Sequence, residues 1–90
     1  MAGNQATRVL VVDDAQVMRR AVEKMLQSDY DVVLANDGEA GWEQLAQDNQ
    51  IEMLITDIQM PLLDGYGLIC RVRASDNAHI RDLPIITITG

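Results

Sequence analysis

Short apolar runs alternate with amphipathic stretches along this chain, regularly enough to mark out its elements. "RVLVVDD", from Arg8, is rich in valine and stops abruptly in two acids, which reads as a buried strand. From Ala15 to Gln27, Met18, Ala21, Val22, Met25 and Leu26 recur at helical spacing, with Arg19, Arg20, Glu23 and Lys24 on the other face, so an amphipathic helix is expected. "YDVVLAND" repeats the strand pattern, and Asp37 is placed to cap a second helix striped by Trp42, Leu45 and Ala46. "IEMLITD" is a third strand; Asp64 caps a third helix whose inner stripe is Leu68, Ile69 and Val72. Polar "ASDNAHIRD" then predicts a loop, and "LPIITITG" a fourth strand.

Strands alternating with helices of about ten residues imply right-handed crossovers and a parallel sheet covered on both faces. The fold class is therefore doubly wound α/β. The loops are too short for an internal domain boundary, and no repeat or low-complexity segment is present. A polar leader over residues 1–7 is expected to precede one domain over residues 8–90, a length that supports a single core.

Charge narrows the partners. Fourteen acids against seven bases give a net charge of −7, so a polyanion such as nucleic acid meets a repulsive average field, and a cation or a basic protein patch suits better. Cys70 is the sole cysteine, which excludes an internal disulfide framework and fits a reducing compartment. No stretch is long and apolar enough to cross a bilayer and no basic-then-apolar leader opens the chain, so a cytoplasmic location is the expectation.

The acids carry the candidate chemistry. Ligands of open parallel sheets sit beyond the carboxyl ends of the strands, where the winding reverses. Asp13 and Asp14 close the first strand and Asp57 the third, which are neighbours in the flavodoxin-like order 2-1-3-4-5. Two carboxylates about 4 Å apart repel by roughly 4 kcal/mol at an effective dielectric near 20, so such a cluster raises a pKa or captures a cation. Mg²⁺ is the natural choice, because it accepts one or two carboxylates and leaves positions for water and phosphate oxygens. An aspartate beside such an ion can attack phosphorus and form an acyl phosphate. Thr89, ending the fourth strand, would bring a hydroxyl donor to an added phosphoryl oxygen. Downstream, Pro61 biases Met60 towards an extended conformation and stiffens the exit from Asp57, while Gly65 and Gly67 keep the next helix slim.

Plainer roles compete. Asp57 alone beside a proline turn is a cap, Asp13 and Asp14 alone are turn residues, and Thr89 alone is a β-propensity choice; their convergence argues otherwise. Lone His79 reads as a solvated side chain, Cys70 and Trp42 as core or half-buried packing residues, and Met18 and Met25 as core fillers.

From Arg8 to Gly90 the sequence resembles the receiver domains of bacterial two-component response regulators. "VLVVDD", "DGEAGWEQL", "LITDIQMPLLDG" and "LPIITITG" stand where that family has its acidic pair, second helix start, phosphoacceptor turn and switch strand. The resemblance implies that Asp57 is the phosphoacceptor and a metal ligand, Asp14 a direct Mg²⁺ ligand, Asp13 a ligand through water, and Gln59 a ligand through its backbone carbonyl. It makes Thr89 the switch hydroxyl. It also implies a phosphohistidine donor on a sensor histidine kinase or phosphotransfer protein, which approaches mainly through the first helix.

Such a module signals by changing shape and is not an enzyme in the turnover sense. A Mg²⁺-dependent phosphohydrolase ranks behind it, because that pattern puts a second aspartate two residues after a first-strand nucleophile and "VVDDAQ" lacks it. A non-phosphorylated interaction scaffold is the remaining alternative. The family continues beyond this point with a helix, a fifth strand bearing a phosphoryl-contacting lysine, and a fifth helix. None of these follows Gly90 in the sequence, so the expected domain is an incomplete receiver. If the chain truly ends there, its fourth strand forms an open apolar edge that invites self-association; if it is an excerpt of a longer protein, that edge never meets solvent.

Overall fold

A computed structural model describes residues 6–60 and 63–88. The elements run β1 (Arg8–Val12), α1 (Gln16–Leu26), β2 (Asp31–Ala35), α2 (Gly38–Gln47), β3 (Ile51–Asp57), α3 (Gly65–Arg73), α4 (Ala78–Arg81) and β4 (Ile85–Ile88). All strand pairs are parallel, in the order β2-β1-β3-β4. These strands match the first four places of the flavodoxin-like order.

Alternation along β1 sorts the core into two layers. Leu10 and Val12 face one side and join Ala35, Leu45, Leu54, Leu68 and Val72 under α2 and α3. Val9 and Val11 face the other and meet Val22 of α1 and Ile55 of β3. Asp37 and Asp64 cap α2 and α3 as expected, accepting hydrogen bonds from Ala40 N and Gly67 N, both at 2.8 Å.

The register between β1 and β3 decides which side chain stands beside Asp13. Arg8 pairs with Ile51, but Val9 pairs with Met53, so Glu52 is an extra residue in β3. Beyond this irregularity Val12 pairs with Thr56, which brings Asp13 and Asp57 to the same level. Without the shift Asp13 would sit opposite Thr56.

Several packing expectations are corrected. In α1 only Val22 is buried, with Leu26 half-buried, whereas Ala21, Met18 and Met25 are exposed, Met25 to 70%. At about 100° per residue, Ala21 and Met25 lie well round the cylinder from Val22 and Leu26, which the sheet takes. Ala46 of α2 is also exposed; Gly41 takes the inner position instead, against Val12 and Leu68. Cys70 is exposed because Leu68 and Val72, two residues to either side, occupy the inner face of α3.

The supposed loop "ASDNAHIRD" contains α4. Asn77 caps it by accepting from His79 N and Ile80 N, Ile80 is buried, and Arg73 Nη1 donates to Arg81 O at 2.6 Å and Leu83 O at 2.8 Å. His79 is exposed, yet its Nε2 lies 2.7 Å from Ile51 O, so it is tied to the sheet as well as solvated.

At the opposite end of the sheet from the acids, Arg8 bridges Asp31 (Nη1 to Oδ2, 2.6 Å) and Asp48 (Nε to Oδ2, 2.7 Å). The backbone N–H of Gln50 and the Arg8 guanidinium hold the Asp48 carboxyl below its ordinary range. On the outer side, β4 pairs only with β3 among the described residues, and Ile86 is half exposed.

Candidate functional site

The site forms where β1 and β3 end. Asp13 is buried, Asp57 half-buried and Asp14 exposed, and one carboxylate oxygen from each lies within 4.8 Å of the others. Asp13 is held at three points. Its N–H donates to Ala35 O (3.2 Å), its Oδ1 accepts from Ala15 N (2.8 Å), and its carbonyl oxygen accepts from Arg19 Nη1 (2.8 Å). Burial pushes the Asp13 carboxyl above its ordinary range, and the charges of Asp57 and Asp14 add to the rise; the Ala15 N–H and Arg19 oppose it.

Asp57 is fixed through its backbone. Thr56 Oγ1 donates to its carbonyl oxygen at 2.9 Å, and Gly65 N donates to the next carbonyl, Ile58 O, at 2.8 Å. A Cβ on Gly65 would overlap the Asp57 carbonyl oxygen and press on Ile58 Cα, so only glycine lets α3 begin this close to the strand end. Among the described residues, the carboxylate itself accepts a single long contact, from Gln59 N at 3.4 Å. It faces a cavity of about 510 Å³, lined by Asp13 and Asp57 and walled by Met18, Ile58, Gln59 and Tyr66.

The donor set suits a hard divalent cation. All three side chains offer oxygen, with no thiolate or imidazole in the group. Ligands about 2.1 Å from a Mg²⁺ ion stand roughly 3 Å apart when adjacent and roughly 4 Å apart when opposite. A spread of 4.8 Å is therefore closed by a small inward movement, or by a water between the ion and one carboxylate.

The structure thus brings together Asp13, Asp14 and Asp57, with exposed Gln59 on the cavity wall. Thr89 and Pro61 lie outside the described residues. Arg19 escaped the sequence reading, where it was one polar residue of an amphipathic helix; its place one turn after Ala15, within reach of the acidic turn, was the available signal.

Comparison with known proteins fits this geometry. The sequence profile described as "Response regulator receiver domain" matches residues 9–90. The chain belongs to the response regulator receiver family. It is 37% identical over 84 residues to a chemotaxis protein CheY homolog of Campylobacter jejuni, an alignment covering 91% of this chain and 63% of that protein. A response regulator receiver protein from Pseudomonas putida superposes with a TM-score of 0.85 at 37% identity, over 94% of this chain and 69% of the other. Response regulator TrrA from Thermotoga maritima, solved in complex with Mg²⁺-BeF, gives 0.82 at 30% identity, over 92% and 69%. This receiver chain therefore spans somewhat under two thirds of the length of its Campylobacter relative. Among the described residues, no helix is long and apolar enough to cross a membrane.

Proposed function

We propose that this receiver accepts a phosphoryl group on Asp57, from the phosphohistidine of a sensor histidine kinase or phosphotransfer protein, in a cytoplasmic two-component pathway. The observation that carries this reading is the convergence of three carboxylates at the ends of two adjacent strands, with the Asp57 carboxylate open to a cavity. An Asp57 oxygen forms the new bond to phosphorus, the phosphorus–nitrogen bond to the donor imidazole breaks, and the imidazole keeps the electron pair and takes up a proton.

Asp13 and Asp14 would hold Mg²⁺, together with Asp57 and the Gln59 backbone carbonyl, and Asp13 would act through a water. When bound, the ion supplies the positive charge that offsets the carboxylate and the phosphoryl oxygens. The Mg²⁺-BeF complex of the Thermotoga relative supports that choice of ion. Asp13 stays anchored by Ala15 N and Arg19 while the phosphoryl group is received, and Gly65 keeps the Asp57 backbone from shifting. Thr89 is the hydroxyl that would sense the added group. The output is a change of shape passed to a partner rather than turnover, and β4 offers a second contact, to another copy of the chain.

Incubation with acetyl phosphate and Mg²⁺, followed by intact mass, tests the assignment. A gain of about 80 Da, one phosphoryl group, that is absent from Asp57→Asn and without Mg²⁺ is the expected result. Continuous phosphate release would point to a hydrolase instead, and no adduct at all to a scaffold.

A further inference from the structure

We propose that Arg19 is a positioning residue of this site, gripping the carbonyl of Asp13 so that the acidic turn keeps its ligand geometry. The inference rests on the Mg²⁺-dependent phosphoacceptor reading and adds a residue to it. The turn between β1 and α1 carries two adjacent carboxylates and faces a third, and their mutual repulsion pushes it apart. The helix that follows lacks the usual means of steadying such a turn. Ala15, at its N-cap, has no side-chain oxygen to offer.

What holds the turn is the set of three bonds at Asp13. Two come from backbone N–H groups, its own and that of Ala15; the third is the 2.8 Å bond from Arg19 Nη1. Among the described residues, Arg19 is the one side chain hydrogen-bonded to Asp13. Its own backbone is set by the bond from Arg19 N to Ala15 O at 2.9 Å, so the guanidinium reaches back across the first helical turn. The gripped carbonyl belongs to the peptide that carries the Asp14 amide, so one bond orients both acids.

Two effects of Arg19 oppose each other at a cation site. Its charge repels an incoming ion, whereas its grip prepares the ligands. Removing an outer partner that orients metal ligands commonly lowers metal affinity by about 10- to 100-fold. The charge effect runs the other way and is screened by solvent at this half-buried position. The sign of the change therefore tells which effect prevails.

The test is calorimetric titration with Mg²⁺, with acetyl phosphate labelling, on the chain and on Arg19→Met and Arg19→Lys. Arg19→Met is expected to bind Mg²⁺ about tenfold more weakly and to form adduct more slowly. Arg19→Lys, which keeps one donor within reach of the carbonyl, is expected to recover most of the loss. In metal-free NMR spectra of Arg19→Met, the Asp14 amide nitrogen should shift while the Leu54 amide in mid-β3 stays in place. Should Arg19→Met not fold, Arg19→Gln replaces it, being too short to reach the carbonyl, with the same loss expected. Affinity in the shortened variants equal to or above that of the unmodified chain overturns the proposal, as does a lysine variant no better than methionine. An unmodified chain that neither binds Mg²⁺ nor forms adduct overturns the phosphoacceptor reading itself, and the role of Arg19 with it.

Discussion

Gly65 and Asp57 meet backbone to backbone: the space a Cβ would need on Gly65 is already filled by the Asp57 carbonyl oxygen. The start of α3 is thereby drawn back against the end of β3. The Gly65 N–H closes the turn on Ile58 O, and the Asp64 cap starts α3 at that point.

Gly65→Ala must therefore displace either the start of α3 or the backbone at Asp57. We expect a loss of about 2–3 kcal/mol in chemical denaturation, the upper range for forced overpacking, and adduct formation on Asp57 slowed by more than the loss of folded protein explains. Unchanged stability would mean that α3 slides outward at little cost.

Asp13 gives the fold a pH dependence of defined sign. Its folded-state pKa is raised by burial, so the folded state binds this proton more tightly than the unfolded chain does. The contribution is fully present below the unfolded value, about 3.9, and is lost as pH rises through the raised value. Asp48 runs the other way, losing stability as pH falls from the unfolded value towards its lowered one, so measurements from pH 4 upward separate the two. Without divalent ions, stability should decline from pH 4 towards neutrality. Asp13→Asn, which carries no charge to bury, should flatten that decline and be more stable than the unmodified chain at pH 7. A parallel pH profile in the variant would remove Asp13 as its source.

The outer edge at β4 can be tested with the chain as it stands. With β3 as its single partner among the described residues and Ile86 half exposed, β4 should pair with a second copy. Sedimentation at micromolar concentration should show a dimer that Ile86→Lys, which places a charge on the edge, returns to monomer. A compact monomer in the unmodified chain counts against this contact.

Short apolar runs, helical spacing, two aspartate caps and acids at strand ends are local signals, and they made the α/β order and the Asp13, Asp14 and Asp57 group legible in advance. What escaped depends on relations the linear pattern does not contain. The exposure of Met25 and Cys70 is set by which side of each helix the sheet accepts. The one-turn α4 is too short to show a period, and is held by Arg73 and Asn77 from outside it. The pairing level of Asp13 and Asp57 rests on the extra residue Glu52, which in the sequence is one polar position near the start of an apolar run.

The double ion pair of Arg8 with Asp31 and Asp48 gives the sheet two unlike ends. At the strand starts, opposite charges are matched and the chain is fastened; at the strand ends, like charges crowd and remain unresolved until something arrives to balance them. Tension is thus confined to the end that has work to do, while the other serves as its anchorage. An engineer seeking a hardier domain has a place to add strength, around Arg8, at the far end of the sheet from the three acids.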